Sequence, residues 1–129
     1  MFYLETSAAA KLVLVERGSA ALRRWLAPRA SVVFSSDLLR TELLRLARRS
    51  SPDDVLQARA VLDSILLSVL STETYERAAL FEPRHLRSLD AIHLAAAMES
   101  QGALEGIVTY DERLARAARS NGVPVFSPR

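Results

Sequence analysis

The chain has 129 residues, 50% of them hydrophobic and 25% charged, with a formal net charge of +2 and no cysteine. This length predicts a single domain, residues 1–129, with one hydrophobic core, and the absence of cysteine excludes disulfides and thiolate metal sites. No apolar run reaches the length of a membrane span and no secretory signal is visible, so we expect a cytoplasmic protein with no membrane partner.

The first half of the chain predicts two buried strands among several helices. Residues 1–4 form a short apolar strand that ends at Glu5, and Thr6 or Ser7 offers the cap of the helix that follows. The β-branched segment SVVF predicts a second strand at 31–34. The remaining predicted helices of this half lie at 19–26, 37–49 and 52–65.

The second half of the chain continues the alternation of strands and helices. We expect a strand IVTY at 107–110 and an edge strand at 123–126, whereas residues 66–70 predict either a third strand or a continuation of the preceding helix. One predicted helix, 89–100, is apolar nearly all round and belongs in the interior. The other two lie at 72–81 and 111–120. This alternation predicts an α/β protein in which helices cover the faces of a central parallel sheet of four or five strands.

Three carboxylates lie at positions where the predicted elements allow either a functional or a structural role. Glu5 and Asp111 each end a predicted strand, and the carboxyl ends of parallel strands meet at one edge of a sheet. Asp111 also stands where a helix cap belongs, so a capping role is equally open. Glu42 projects onto the inward half of its helix, where it either contributes to a site or pairs with Arg45 or Arg49.

A fourth carboxylate, Asp90, opens the apolar helix. Since Ser88 is available as the cap of that helix, we expect another group to share the charge of Asp90. His93, one turn further on, is interpreted as a hydrogen-bonded core residue. Converging carboxylates with no lysine or cysteine among them favour a hard cation such as Mg²⁺ or Mn²⁺, which suits metal-assisted chemistry on phosphates.

Four sequence blocks lie in order along essentially the whole chain: MFYLETSAAAKL, SSDLLRTELLRL, LRSLDAIHLAAA and IVTYDERLARAARSNGVPVF. Together they resemble the PIN-domain nucleases, and more specifically the VapC-type ribonuclease toxins of bacterial toxin–antitoxin pairs. The resemblance implies a three-layer α/β/α PIN-like domain that acts as a Mg²⁺- or Mn²⁺-dependent endoribonuclease. The partners that it implies are an RNA substrate and a cognate antitoxin, in a homodimer or a toxin–antitoxin hetero-oligomer.

The same resemblance implies roles for individual residues. The catalytic set would be Glu5, Glu42, Asp90 and Asp111. The metal ligands within it would be Glu5, Asp90 and Asp111, and the supporting hydroxyls would be those of Thr6 and Thr109.

The basic residues of the chain are almost all arginine, since Lys11 is the only lysine. The planar guanidinium suits phosphate groups, although arginines on solvated helix faces explain the same composition. The candidates for holding an RNA backbone are Arg84, Arg87, Arg113 and Arg116.

Glu5 is the one clear departure from the family, which normally has aspartate at this position. The extra methylene moves the carboxylate outward by about 1.5 Å, whereas Mg²⁺ demands near-ideal octahedral geometry. This departure supports an alternative hypothesis, a PIN-like module with an attenuated metal site that binds antitoxin or RNA without efficient cleavage.

Overall fold

The central element of the protein is a sheet of five parallel strands in the order β3-β2-β1-β4-β5. The structure, a computed structural model, describes residues 1–129 except for the side chain of Gln101. The strands are β1 (Phe2–Leu4), β2 (Val33–Ser36), β3 (Leu66–Ser68), β4 (Gly106–Val108) and β5 (Val125–Phe126). The predicted α/β fold is therefore confirmed, with β1 at the centre and β5 at an edge.

Seven α-helices cover the two faces of this sheet. They are α1 (Thr6–Val13), α2 (Ser19–Leu26), α3 (Leu38–Ser50), α4 (Pro52–Asp63), α5 (Thr72–Ala78), α6 (Ser88–Met98) and α7 (Glu112–Ser120). In the part of the chain that the structure describes, none of these helices is both long enough and apolar enough to cross a membrane.

Two hydrophobic clusters, one on each face, hold the helices to the sheet. Alternate residues of β1 point to opposite faces, so Phe2 and Leu4 pack with the helices of the first half, α1 to α4. Tyr3 points the other way and packs with Leu94 of α6 and Leu114 of α7. This arrangement gives the three layers of an α/β/α domain, with β1 buried on both sides.

The second strand lies two residues later than its apolar pattern predicts, because residues 27–32 form a 3₁₀ segment. The last two residues of β2 are the fully buried serines Ser35 and Ser36. Ser35 Oγ donates to the Leu4 carbonyl at 2.7 Å, and Ser36 Oγ lies 2.9 Å from the Tyr3 hydroxyl. Polar residues are accommodated inside the strand because tertiary hydrogen bonds satisfy their hydroxyls.

Two predicted helix caps are wrong. Neither Thr6 nor Ser7 caps α1, because the Glu5 side chain accepts from the Ser7 backbone N–H in their place. Ser88 is the first residue of α6, and the capping position before it belongs to Arg87, whose side chain makes no capping bond.

Candidate active site

The four predicted acids line one cleft of about 420 Å³ at the carboxyl edge of the sheet. Each acid is delivered by a different element: Glu5 follows β1, Glu42 lies in α3, Asp90 lies in the first turn of α6 and Asp111 precedes α7. Thr6 lines the same cleft. The topology therefore brings together residues that lie up to 106 positions apart in the chain, from Glu5 to Asp111.

Glu5 is almost completely buried, and its carboxylate turns back onto the start of α1. Its Oε2 atom accepts hydrogen bonds from the Ser7 N–H at 2.9 Å, from the Ser7 hydroxyl at 2.5 Å and from the Thr109 hydroxyl at 2.7 Å. Its Oε1 atom accepts none from the residues that the structure describes. One oxygen of Glu5 is thus saturated as a helix cap, and the other is left for the cleft.

Glu42 is held by groups from two other helices. Its Oε1 atom accepts from the Thr6 hydroxyl at 2.7 Å and lies 2.5 Å from Nε2 of His93. The alternative of an ion pair with Arg45 or Arg49 is not realised among the described residues. Burial raises the pKa of Glu42, but the hydrogen bond and charge of His93 and the Thr6 hydroxyl outweigh it and hold that pKa below its ordinary value. Glu42 is consequently ionised at neutral pH.

His93 is 1% exposed and belongs to a buried chain of hydrogen bonds. Its Nδ1 atom lies 2.7 Å from the hydroxyl of Tyr3, which in turn lies 2.9 Å from Oγ of Ser36. In the neutral form of His93, Nε2 donates to Glu42 and Nδ1 accepts from Tyr3, whereas in the protonated form both ring nitrogens donate. Burial raises the pKa of Tyr3, so the phenol stays protonated and available as a donor.

This chain of hydrogen bonds confirms the interpretation of His93 as a hydrogen-bonded core residue. The roles of Tyr3 and Ser36 escape sequence reasoning, because both stand in strands where apolar packing is the ordinary explanation. The only local signal is that a hydroxyl buried in a strand needs a partner.

Of the four acids, Asp90 has the fewest stabilising contacts at its carboxylate. Its Oδ2 atom is buried and has no hydrogen-bond partner among the described residues. Burial raises the pKa of Asp90, and the negative charges of Asp111 and Glu5 raise it further against the weaker opposing influence of His93 and Arg87. Asp90 is thus a half-buried carboxylate on which the negative charges of Asp111 and Glu5 act more strongly than the positive charge of Arg87.

Asp111 performs the capping role that its position predicts. Its Oδ1 atom accepts from the backbone N–H groups of Arg113 at 2.8 Å and Leu114 at 3.1 Å. Its own N–H donates to the hydroxyl of Thr109 at 3.1 Å, and Thr109 donates to Glu5. Thr109 therefore connects two of the acids, while Oδ2 of Asp111 makes no hydrogen bond with the described residues.

The donor atoms of this cleft fit a hard cation in their chemistry. They are carboxylate and hydroxyl oxygens, and both ring nitrogens of the neighbouring His93 are already engaged. The unsatisfied Oδ2 of Asp90 is the atom that would gain most from a positive charge. Among the described residues, however, no three acidic or histidine side chains are gathered closely enough to ligate a single ion.

Three of the four candidate arginines lie beside the cleft in a second cavity of about 560 Å³. Arg87, Arg113 and Arg116 line this cavity, and Arg87 also lines the acidic cleft. Arg84 does not line it: its side chain is 95% exposed and lies 3.8 Å from Glu82. His85, which sequence reasoning missed, completes the basic lining.

Comparisons with known proteins agree with this architecture. The PIN domain family matches residues 2–120. Ribonuclease VapC47 of Mycobacterium tuberculosis (strain CDC 1551 / Oshkosh) is 39% identical over 132 residues, covering 99% of this chain and 97% of the relative. Ribonuclease VapC46 of Mycobacterium tuberculosis (strain ATCC 25618 / H37Rv) is 36% identical over 126 residues, covering 98% of this chain and 96% of the relative.

A solved structure supports the fold. The crystal structure of Mycobacterium tuberculosis VapC20, described as a sarcin–ricin loop cleaving toxin, superimposes with a TM-score of 0.73 at 19% identity. The match covers 91% of this chain and 95% of that one. From the full-length similarity to the ribonucleases and the family match over residues 2–120, we conclude that the chain belongs to the PIN-domain family, among its VapC-type ribonucleases.

Proposed function

We propose that this protein is an endoribonuclease that depends on Mg²⁺ or Mn²⁺ and acts as the toxin of a toxin–antitoxin pair. The observation that carries the proposal is the buried Oδ2 of Asp90, which lacks a partner among the described residues and stands in the field of Asp111 and Glu5. A cation would relieve this unbalanced negative charge. The full-length similarity to proteins named ribonuclease VapC supports RNA as the substrate.

The carboxylates that would hold the ion are those of Asp90, Glu5 and Asp111, which would have to draw closer together than they lie in this structure. A divalent ion bound there supplies Lewis-acid activation of water and neutralises charge on the phosphodiester. Glu42 keeps its carboxylate ionised and fixed through His93 and Thr6, so it can orient the attacking water and accept its proton. Thr109 keeps Glu5 and the start of α7 in register.

The partners that we propose are an RNA strand and a cognate antitoxin, in a homodimer or a toxin–antitoxin hetero-oligomer. The negative cleft suits a cationic side chain of an antitoxin for the same reason that it suits a metal ion, because Asp90 needs a positive partner. An antitoxin that placed an arginine there would compete with the ion.

The test is cleavage of single-stranded RNA by the purified protein with Mg²⁺ or Mn²⁺, with and without a chelator. Asp90→Asn should abolish the metal-dependent cleavage, because it removes the carboxylate with the strongest need for a cation. Asp63→Asn is the matched control, since Asp63 is exposed at the end of α4 and does not line the cleft. Equal cleavage by wild type and Asp90→Asn would overturn the assignment.

A second candidate is the attenuated module that binds antitoxin or RNA without efficient cleavage. The observation in its favour is Glu5, whose Oε2 is saturated by three hydrogen bonds from Ser7 and Thr109. Calorimetric titration with Mn²⁺ separates the two candidates. Binding by the wild type supports the enzyme, and the absence of binding supports the attenuated module. Binding restored by Glu5→Asp would then identify Glu5 as the cause of the attenuation.

A further inference from the structure

The cavity beside the acidic cleft has the composition of a nucleotide subsite. Its basic lining consists of the side chains of Arg87, Arg113, Arg116 and His85. Its apolar lining is formed by Pro83, Leu86 and Ala117. A volume of about 560 Å³ is within the range of pockets that hold small ligands.

The three guanidinium groups that line this cavity lack acidic partners. None of Arg87, Arg113 and Arg116 makes a side-chain hydrogen bond or an ion pair with the residues that the structure describes. Glu82 is the one acid in the lining, and its carboxylate is directed to Arg84, at 3.8 Å. Three exposed arginines that line one cavity and form no ion pair with the described residues leave their charges available to an anion.

The two cavities share one lining residue, Arg87. Its charge lowers the pKa of Asp90, although burial and the neighbouring acids dominate. Arg113 and Arg116 are one turn apart in α7, the helix that Asp111 caps. The basic cavity is therefore linked to the acidic cleft by Arg87 and by α7, which carries Arg113 and Arg116 and is capped by Asp111.

We propose that this cavity binds the nucleotide that adjoins the scissile phosphodiester in a single-stranded RNA. This inference rests on the proposed function of the acidic cleft. Arg113 and Arg116 contact the backbone phosphate on one side of the cut, Arg87 lies between that phosphate and the reacting one, and the base packs on Leu86 and Pro83. Guanidinium groups for phosphates and an apolar wall for an unpaired base are what a single strand requires.

An acidic protein segment would satisfy the same arginines but would leave the apolar floor and the neighbouring cleft unexplained. It carries no phosphodiester to place beside Asp90. A single strand of RNA supplies a charge at every nucleotide, so it can place one phosphate in the cavity and another at the acids.

The test compares two variants built on the Asp90→Asn background, so that binding is measured without cleavage. One is the double substitution Arg113→Ala and Arg116→Ala. The other is Arg119→Ala, a matched control, because Arg119 is exposed in the same helix and does not line the cavity. Fluorescence anisotropy with a short labelled single-stranded RNA, in buffer without divalent cations, gives the affinity as a function of salt concentration.

The double variant should bind the RNA about tenfold more weakly or worse, and its salt slope should fall by about 0.7 for each lost phosphate contact. Arg119→Ala should keep the affinity and the slope. Equal affinity and slope in the two variants would overturn the proposal. So would a double variant that loses only the binding of a poly-glutamate peptide, since the occupant would then be an acidic protein segment.

Failure of this inference is distinguishable from failure of the proposed function. If the protein with native Asp90 cleaves RNA and the double variant does so with an unchanged KM, the subsite is refuted and the enzyme stands. If the native protein binds RNA through Arg113 and Arg116 but never cleaves it, the cavity stands as an RNA-binding site, while the enzyme and the placement beside a scissile bond are refuted. Circular dichroism of each variant confirms that it is folded, which we expect since both arginines are exposed.

Discussion

Replacing Asp90 with asparagine should stabilise the folded protein even though it removes a proposed metal ligand. The buried Oδ2 of Asp90 has no hydrogen-bond partner among the described residues, so the substitution loses no hydrogen bond at that atom. Asparagine has nearly the same shape as aspartate. The principal change is therefore the removal of a negative charge that lies in the field of Asp111 and Glu5.

The sign of the effect follows from the pKa of Asp90. Burial, and then the charges of Asp111 and Glu5, raise that pKa above its ordinary value of 3.8. A carboxyl group with a raised folded-state pKa contributes stability that is complete below its unfolded-state pKa and is lost as the pH rises through the folded-state pKa. Above its folded-state pKa the ionised Asp90 therefore opposes folding.

Because Asp90 is only half-buried, solvent screens part of the repulsion. We expect Asp90→Asn to raise the free energy of unfolding at pH 7 by about 0.5–2 kcal/mol. The gain should shrink as the pH falls through the folded-state pKa, and it should vanish once Asp90 is protonated in both the folded and the unfolded protein.

Urea unfolding followed by circular dichroism, without divalent cations, measures this gain at several pH values. The exposed Asp63→Asn should change stability by no more than about 0.5 kcal/mol. Added Mn²⁺ should stabilise the wild type by mass action and reduce the advantage of the variant. The reasoning is refuted if Asp90→Asn is no more stable than the wild type at pH 7, or if its advantage does not depend on pH.

Two further substitutions test the packing behind the site. Tyr3→Phe removes the hydroxyl that lies 2.7 Å from Nδ1 of His93, so urea unfolding should show a loss of about 1–3 kcal/mol; an unchanged midpoint would mean that the buried hydrogen-bond chain is not formed. Gly106→Ala places a Cβ 2.7 Å from the Pro124 carbonyl, so the midpoint of thermal unfolding should fall with a loss of about 1–3 kcal/mol. Gly102→Ala, whose Cβ meets no described atom within 4 Å, is its control and should lie within about 0.5 kcal/mol of the wild type.

The order of helices and strands is predictable from the sequence because its signals are local. Pro52 with Ser51 before it predicts the start of α4, and the Ser51 side chain does cap that helix. The second strand is displaced from its predicted position because Ser35 and Ser36 are strand residues only by virtue of partners elsewhere. A local pattern contains no information on whether a buried hydroxyl will find such a partner.

The sequence predicts which residues form the candidate site, but it does not predict which side chains they contact. The helical period places Glu42 on the inward side of α3, but it does not predict the partner of Glu42. Its actual partner, His93, is 51 residues away in the chain and is reached only through the packing of α6 against the sheet. Glu5 shows the same limit, since its position predicts an acid at the sheet edge while its longer side chain allows it to reach back and cap α1.

The four acids differ in how many stabilising partners hold their carboxylates, and this difference indicates where a cation would bind. Glu5 is held by Ser7 and Thr109, Glu42 by His93 and Thr6, and Asp111 by the backbone of α7. Each of these carboxylates has a stabilising partner for at least one oxygen before any ligand binds. Asp90 has none for its buried Oδ2 among the described residues, and the fixed acids around it raise its energy. A cation in the cleft would therefore stabilise Asp90 most. It would leave the hydrogen bonds that hold the other three acids largely intact.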